Sequence, residues 1–401
     1  MKYGLLGRKL GHSYSPRIHN LLGGYEYGLF EKEPEELGEF LKHGDFIGLN
    51  VTVPYKKAVL PYLDELTDTA RRLGNVNTVV RRADGSLLGH NTDYDGFRSM
   101  VFRSELEISG KKALVLGTGG ASGTATAVLR ELGAEVVVIS RTGEDNYRNL
   151  SRHADAALLV NATPVGMFPD TGVSSLNLED LPNLEGVLDL IYNPARTRLL
   201  MDAEERGLKM QNGLWMLVAQ AWGSAGMFLG SPLPEGKIGE VYSILRREME
   251  NIILIGMPGC GKSTVGAALA ERLGRPFVDG DRELESRYGI SIPEFIPEHG
   301  EAAFRALETE ELKDLGKRSG LVIATGGGCV TREENYGLLH QNGTIFLLKR
   351  ERLATENRPL SRNPAELEKK RKPLYERFSD REIDNNGTVL ETVERILEVL
   401  P

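Results

Sequence analysis

The sequence predicts two α/β modules in series, each built on its own parallel sheet, and three observations carry that prediction. Short runs rich in Val, Leu and Ile alternate with helix-length segments in two separate series, as they do in βαβ units. Each series opens on a glycine-rich cluster, at 117–123 and at 256–261, and an open parallel sheet binds its ligand at one such crossover. The chain is 401 residues long, enough for about two to four domains of ordinary size.

Composition narrows the class. Hydrophobic residues make up 40% and charged residues 26%, which excludes a disordered chain, a collagen and a coiled-coil rod. A net charge of −8 leaves no whole-chain footprint for nucleic acid. Two cysteines, Cys260 and Cys329, cannot frame a chain of this size with disulfides. The N-terminal apolar run is broken by Arg8 and Lys9, so no signal peptide is expected. No stretch reaches the ~18 apolar residues of a membrane span. The expectation is a cytoplasmic protein with no membrane and no nucleic-acid partner, and a homo-oligomer is compatible with the sequence.

The first series runs through Leu114–Leu116, Val136–Ile139, Leu158–Val160 and Val187–Leu190. Its first strand, from Lys112, leads into Gly117-Thr118-Gly119-Gly120-Ala121-Ser122-Gly123 and then a helix expected from Thr124 to Leu132. Strand, glycine turn and helix form the setting of a dinucleotide loop, in which glycine lets the backbone approach a pyrophosphate and the helix N-terminus supplies N–H donors. Ser122 stands where the usual pattern has its third glycine, so a plain tight turn is the alternative. The next strand ends in Ser140-Arg141-Thr142. An acidic residue there would suit the ribose 2′-hydroxyl of NAD, whereas an arginine flanked by two hydroxyls suits the 2′-phosphate of NADP.

Four polar clusters precede this loop: 11–16 with Ser13 and Ser15, 50–56 with Thr52 and Lys56, 74–78 with Asn77, and 91–96 with Asp93. Hydroxyl pairs can bind a carboxylate, and Asn, Thr, Lys and Asp can bind vicinal hydroxyls. Four unrelated loops are the alternative.

The second series runs through Ile252–Ile255, Phe277–Val278, Leu321–Ala324 and Ile345–Leu348. After its first strand comes Gly256-Met257-Pro258-Gly259-Cys260-Gly261-Lys262-Ser263-Thr264, with a helix expected over Val265–Leu273. This is the G-x-x-x-x-G-K-S phosphate loop, whose backbone N–H groups cradle phosphates while the lysine reaches the β/γ oxygens and the serine holds Mg²⁺. A seam between the modules is expected across Ser231–Glu250, where Ser231-Pro232-Leu233-Pro234 breaks the pattern before a helix at Ile238–Met249.

Taken in order, the polar clusters resemble the shikimate dehydrogenase family over residues 1 to about 248. The matching motifs are the serine pair, Asn50-Val51-Thr52-Val53-Pro54-Tyr55-Lys56, Val76-Asn77-Thr78, Asn91-Thr92-Asp93-Tyr94-Asp95-Gly96, Asn161–Met167 and the glutamine-bearing Leu214–Gln220. The resemblance implies a substrate lobe at 1–104 and 213–248 and a Rossmann NADP lobe at 105–212. It implies that Ser13 and Ser15 hold the substrate carboxylate and that Thr52, Asn77, Gln220 and Tyr192 contact the ring. Lys56 and Asp93 match the catalytic pair. Gly117, Gly119, Gly120, Ala121, Ser140, Arg141, Thr142, Thr163 and Gly213 would contact NADP(H), with Met216 and Leu217 beside the nicotinamide. Lys9 and Gly11 depart from the residues common in the family, neither at a ligand position.

Residues 250–401 resemble shikimate kinase. The motifs are Asp279-Gly280-Asp281, Gly300-Glu301-Ala302-Ala303-Phe304-Arg305-Ala306-Leu307-Glu308, Gly326-Gly327-Gly328 and Arg358-Pro359-Leu360. The resemblance implies a P-loop α/β/α kinase. Asp281, Arg305, Gly327, Gly328 and Arg371 would bind shikimate, and Asp281 would accept the hydroxyl proton. Gly256, Gly259, Gly261, Lys262, Ser263, Thr264 and Arg358 would contact ATP, with Lys262 also catalytic, and Ser263 and Asp279 would place Mg²⁺. The segment 351–364 is short for the family's lid. A bifunctional enzyme follows: 3-dehydroshikimate reduced with NADPH to shikimate, then shikimate phosphorylated with ATP, towards chorismate and the aromatic amino acids. The alternatives are one active module beside a regulatory one, which the presence of Lys56, Asp93, Lys262, Asp281 and Arg305 opposes, and quinate as the first substrate, which Arg141 opposes.

Overall fold

The structure, a computed structural model, describes residues 2–11, 13–351, 353 and 364–400. The chain divides into two compact units. One comprises Met1–Val165, Ser174–Tyr192 and Asp202–Leu245; the other comprises Gly166–Val173, Asn193–Met201 and Arg246–Pro401.

The first unit contains two sheets. Strands β1 (Tyr3–Gly7), β2 (Tyr27–Glu31), β3 (Gly48–Val51), β4 (Glu65–Leu66), β5 (Thr78–Arg81) and β6 (Leu87–His90) form a six-stranded mixed sheet in the order β2-β1-β3-β5-β6-β4. β1 runs parallel to β2 and β3, while β5 is antiparallel to β3 and β6. Every residue of β3 is buried, which marks a strand covered on both faces rather than an alternating edge. Strands β7 (Lys112–Leu116), β8 (Glu135–Ile139), β9 (Leu158–Asn161), β10 (Gly186–Asp189) and β11 (Lys209–Gln211) form an all-parallel sheet in the order β11-β10-β9-β7-β8. Its crossover lies beside β7, where ligands of open α/β sheets bind.

Four helices of this unit position the site. Helix α1 (Ser15–Gly23) has Pro16 in its first turn, where the missing N–H costs nothing. Helix α2 (Asp93–Arg103) packs along α4 (Leu214–Leu229), and Trp215 Nε1–H donates to Ser99 Oγ (2.9 Å) between them. Helix α3 (Gly120–Glu131) follows β7. Its buried face (Ala125, Val128, Leu129) joins Phe97, Met100, Val115 and Val160 in one apolar core.

The second unit holds β12 (Asn251–Ile255), β13 (Phe277–Asp279), β14 (Val322–Ala324), β15 (Gly343–Lys349) and β16 (Arg381–Asp384), all parallel, in the order β13-β14-β12-β15-β16. The central β12 is wholly buried. Helices α5 (Lys262–Leu273), α6 (Gly280–Tyr288), α7 (Glu301–Leu315) and α8 (Pro364–Phe378) carry its functional side chains. Within this unit the Arg196 N–H donates to Gln341 O (2.8 Å) and its guanidinium to His340 O (2.9 Å).

Three helix starts differ from the sequence expectation: the helix expected at Ile238–Met249 begins two residues earlier, at Gly236, and the other two differ at the glycine-rich loops. α3 begins at Gly120 rather than Thr124, and α5 at Lys262 rather than Val265. The first-turn N–H groups of a helix have no intrahelical partner, so residues chosen to meet a ligand occupy that turn without resembling helix formers. The strand β16 has no counterpart among the expected strands: it is an edge strand whose single buried residue is Ile383.

Candidate active sites

The polar clusters of the first unit converge. Ser13, Ser15, Thr52, Lys56, Asn77, Asp93, Tyr192 and Gln220 line one cavity of about 300 Å³, together with Asn50, Ala121, Gly213, Met216 and Leu217. Ser15 is the first residue of α1, and its N–H donates to Ser13 Oγ (3.2 Å), so the two hydroxyls are held at one helix start. Thr52 leaves β3 with its N–H on Leu6 O (2.9 Å). The Lys56 carbonyl accepts from Val76 N–H (2.8 Å), next to Asn77. Asn77 receives Thr92 N–H on its Oδ1 (2.7 Å) and donates from Nδ2 towards Thr92 Oγ1 (3.1 Å) and Gln220 Oε1 (3.4 Å). Asp93 opens α2, and Lys56 Nζ–H donates to its Oδ2 (2.6 Å).

The dinucleotide loop reaches the same cavity through Ala121. Gly117 N–H donates to Ile139 O (2.9 Å), and Ser122 Oγ–H returns to Gly117 O (2.6 Å), closing the turn. Gly119 and Gly120 face open space at the start of α3. Ser140 Oγ accepts Gly143 N–H (2.7 Å), leaving Arg141 and Thr142 exposed at the end of β8. Thr163 is tied through its N–H and hydroxyl to Asn161 Oδ1 (3.1 and 2.7 Å) on the adjoining strand. Gly213 N–H donates to Ile191 O (2.9 Å) beside Tyr192. An open helix N-terminus, an exposed arginine at the neighbouring strand end and flanking hydroxyls fit a phosphorylated dinucleotide.

In the second unit, Gly256, Gly259 and Gly261 turn the loop between β12 and α5. Gly261 has φ +101°, a conformation that a side chain would strain. Lys262 is buried, its Nζ–H on Gly256 O (2.8 Å) and Met257 O (3.2 Å). Ser263 Oγ–H donates to Asp279 Oδ2 (2.5 Å), and Thr264 lies exposed next to it. An adjacent hydroxyl and carboxylate at a phosphate loop are the hard oxygen donors that Mg²⁺ takes. Arg358 lies outside the described residues.

Arg305, Gly327, Gly328, Arg371 and Asp281 come together beside this loop. Arg305 is clamped by Glu308 (2.7 Å) and Glu301 (3.1 Å). Arg371 donates to Gly327 O (3.0 Å). A Cβ on Gly328 would fall 2.0 Å from Arg305 Nη2, and one on Gly326 would meet both Glu308 Oε1 (2.4 Å) and Asp281 Oδ1 (2.7 Å). Only glycine lets the backbone pass this close to the charged groups. Burial opposes the Arg305 charge, but Glu308 and Glu301 raise its pKa overall. Burial, joined by the Asp281 charge, pushes Glu308 above the ordinary carboxylate value despite Arg305.

Several lining residues were not singled out from sequence. Asn50, Glu301 and Glu308 all lie inside quoted motifs, without a role assigned to them; Glu301 and Glu308 stand four before and three after Arg305, a spacing that places them on one helix face. Tyr375, whose hydroxyl donates to Gly327 O (2.5 Å), follows Arg371 in the sequence segment Lys370–Tyr375, where the sequence assigns it no role of its own.

Comparison with known proteins bears on both units. Residues 5–79 match the family model for the shikimate dehydrogenase substrate binding domain. A shikimate dehydrogenase (NADP(+)) of Clostridium beijerinckii is 35% identical over 271 residues, covering 62% of this chain and 99% of that protein. The chain belongs to the shikimate dehydrogenase family. Among solved members of that family, a chorismate mutase/shikimate 5-dehydrogenase fusion from Clostridium acetobutylicum superposes with a TM-score of 0.57 at 37% identity, covering 61% of this chain and 96% of that one. A shikimate 5-dehydrogenase from Thermus thermophilus, in complex with NADP(H) and shikimate, gives 0.54 at 34% identity over 61% and 99%. Residues 258–401 match the shikimate kinase family model. The chain therefore joins a shikimate dehydrogenase region to a shikimate kinase region.

Proposed function

We propose that the chain catalyses two consecutive steps: reduction of 3-dehydroshikimate to shikimate with NADPH, and phosphorylation of shikimate to shikimate 3-phosphate with ATP and Mg²⁺. The observation that carries this reading is that one chain supplies both a lysine–aspartate pair in a hydroxyl- and amide-lined cavity beside a dinucleotide loop and an aspartate–arginine cluster beside a phosphate loop. Both suit a hydroxylated ring acid, the product of the first being the substrate of the second. In this reading residues 1–104 and 213–248 hold the first substrate, 105–212 the dinucleotide, and 250–401 transfer the phosphoryl group.

In the first site the Ser13 and Ser15 hydroxyls grip the carboxylate, and Thr52, Asn77, Tyr192 and Gln220 bind the ring hydroxyls. NADPH, when bound, supplies the hydride. Lys56 delivers the proton to the ring oxygen and stabilises its developing charge, while Asp93 orients the ammonium. Arg141 fits the 2′-phosphate better than the 2′-hydroxyl. In the second site Arg305 and Arg371 bind the carboxylate, for which the planar guanidinium is suited. Asp281 accepts the proton of the attacking hydroxyl, and Lys262 leaves its loop carbonyls for the phosphate oxygens. Ser263 and Asp279 would hold Mg²⁺, which neutralises phosphate charge when bound.

The partners in this reading are small molecules and the compartment is the cytoplasm; among the described residues no helix is long and apolar enough to cross a membrane. The test is a single-pot assay of the purified chain with 3-dehydroshikimate, NADPH, ATP and Mg²⁺, read by mass spectrometry. Shikimate 3-phosphate should accumulate only with both cosubstrates, and shikimate alone when ATP is withheld. No NADPH consumption, or shikimate left unphosphorylated with ATP present, would overturn the corresponding half.

A further inference from the structure

Tyr14 lies between the two serines of the first cavity, as the residue before α1. Its carbonyl accepts Ile18 N–H (3.0 Å), and its two neighbours are joined by the Ser15–Ser13 bond, so the backbone at Tyr14 is fixed by the helix start. Its ring meets that of Tyr192 edge-on, with centroids 6.0 Å apart and planes at 83°. Tyr192 lines the cavity just beyond the end of β10. The backbone before Tyr192 is itself fixed: Ile191 N–H donates to Asp189 Oδ1 (3.0 Å), which also takes Asn161 Nδ2–H (2.9 Å), and Ile191 O accepts Gly213 N–H (2.9 Å). Burial, with the Tyr14 phenol adding, holds the Tyr192 hydroxyl above the ordinary tyrosine pKa, so it remains a donor.

The pair thus joins the serine end of the six-stranded sheet to the dinucleotide end of the five-stranded sheet at the rim of one cavity. We propose that Tyr14 is a positioning residue of the dehydrogenase reaction, its ring edge setting where Tyr192 meets the substrate relative to the serine pair. This rests on the dehydrogenase reading of the cavity. Tyr14 touches the substrate neither through its hydroxyl nor through proton transfer; it acts through Tyr192. Edge-to-face aromatic pairs contribute enough to change binding about two- to tenfold, and that is the size of effect required.

The experiment follows shikimate oxidation with NADP⁺ in the full-length chain for Tyr14→Ala, Tyr14→Phe, Tyr192→Leu and the Tyr14→Ala/Tyr192→Leu double variant. Tyr14→Ala should raise KM for shikimate about two- to tenfold, with kcat and KM for NADP⁺ unchanged. Tyr14→Phe, which keeps the ring edge, should behave as wild type. In the Tyr192→Leu background Tyr14→Ala should add nothing, because the partner is gone. An unchanged KM in Tyr14→Ala, loss in Tyr14→Phe equal to that in Tyr14→Ala, or full additivity with Tyr192→Leu would each overturn the proposal. A lowered Tm with unchanged KM would do so too, by reducing Tyr14 to a packing residue. Wild-type turnover reports separately on the dehydrogenase reading, since the Tyr14 proposal is read from variant-to-wild-type ratios.

Discussion

Lys56 Nζ lies 2.6 Å from Asp93 Oδ2, and the two arrive from separate elements: Lys56 from the turn after β3, Asp93 from the first residue of α2. Both side chains are mostly buried, at 26% and 13% exposed, so the pair is shielded from the solvent that makes surface ion pairs weak. A proton-transferring group placed at the reacting oxygen contributes about 10²–10⁴-fold in rate.

Lys56→Met should therefore lower dehydrogenase kcat by about 10²–10⁴ while leaving the kinase rate of the same preparation unchanged. Asp93→Asn keeps a hydrogen-bond acceptor beside the ammonium but removes its charge, and should cost less. The double variant should lose little more than Lys56→Met alone, because residues acting as a unit are not additive. Steady-state rates for both activities check this; Lys56→Met within threefold of wild type contradicts the assignment.

Arg141 is exposed at the end of β8 beside a turn closed by Ser140. A charge-assisted hydrogen bond to the 2′-phosphate is worth about 1.5–3 kcal/mol, or roughly 10- to 100-fold in affinity. Arg141→Ala should raise KM for NADPH by that factor and leave the weaker use of NADH unaltered. Equal losses with both cofactors would place Arg141 elsewhere than at the 2′ position.

How far the sequence reached depended on what sort of constraint each residue obeys. Phosphate loops were legible because a backbone that wraps an anion needs glycine in fixed places, and the strands flanking them because a buried parallel strand such as β12 carries an unbroken apolar run, here Ile252–Ile255. The Lys56–Asp93 pairing and the gathering of four polar clusters into one cavity were legible only through ordered motif resemblance; spacing of 37 residues between Lys56 and Asp93 carries no local geometric signal. Contacts that depend on tertiary placement were invisible. Tyr375 reaches Gly327 O from 48 residues away, the Arg196 bonds to His340 and Gln341 cross more than 140 residues, and β16 is a mostly exposed edge strand with no apolar run to announce it.

His19 is fully buried on α1, stacked on Tyr27 (4.0 Å between centroids) with Nδ1 2.5 Å from Tyr25 Oη. Burial drives its pKa down from 6.5 to about 3, against a weaker upward pull from Asn50. The folded state keeps the ring neutral while the unfolded chain takes up a proton below its own pKa of about 6.5. Stability from this residue is thus complete above pH 6.5 and is lost as pH falls towards 3, at about 1.4 kcal/mol per pH unit. His19→Phe should keep the stack and start less stable at pH 7, since Tyr25 loses its partner. Between pH 6.5 and 4 it should then lose about 3 kcal/mol less than wild type. Urea melts followed by tryptophan fluorescence read this directly, because both tryptophans, Trp215 and Trp222, lie on α4 in the first unit. Parallel pH profiles for the two proteins would rule the mechanism out.

Excess EDTA should abolish shikimate phosphorylation and leave NADP⁺-linked oxidation of shikimate intact in the same tube. The proposed metal donors, Ser263 and Asp279, both stand at the phosphate loop, and the Lys56–Asp93 site moves its proton without a metal. Added Mg²⁺ should restore the kinase rate. Ser263→Ala should raise the Mg²⁺ concentration needed for half-maximal rate.

Gly328 offers the sharpest separation of the two activities. A Cβ there would stand 2.0 Å from Arg305 Nη2 and 2.1 Å from its Cζ, well inside contact distance. Arg305 is buried and held by Glu308 (2.7 Å) and Glu301 (3.1 Å), so the guanidinium cannot swing clear without breaking an ion pair inside the protein. Such a break leaves Glu308 short of its compensating charge, a costly outcome for a buried carboxylate. Overpacking of this kind typically costs about 1–3 kcal/mol. If it falls on shikimate binding, Gly328→Ala should raise the kinase KM for shikimate roughly 5- to 150-fold. KM for ATP should hold, since the phosphate loop is untouched, and the dehydrogenase rate should match wild type. A Gly328→Ala chain whose KM for shikimate is unchanged would show that the Arg305 guanidinium does not bind the substrate from the position it occupies beside Gly328.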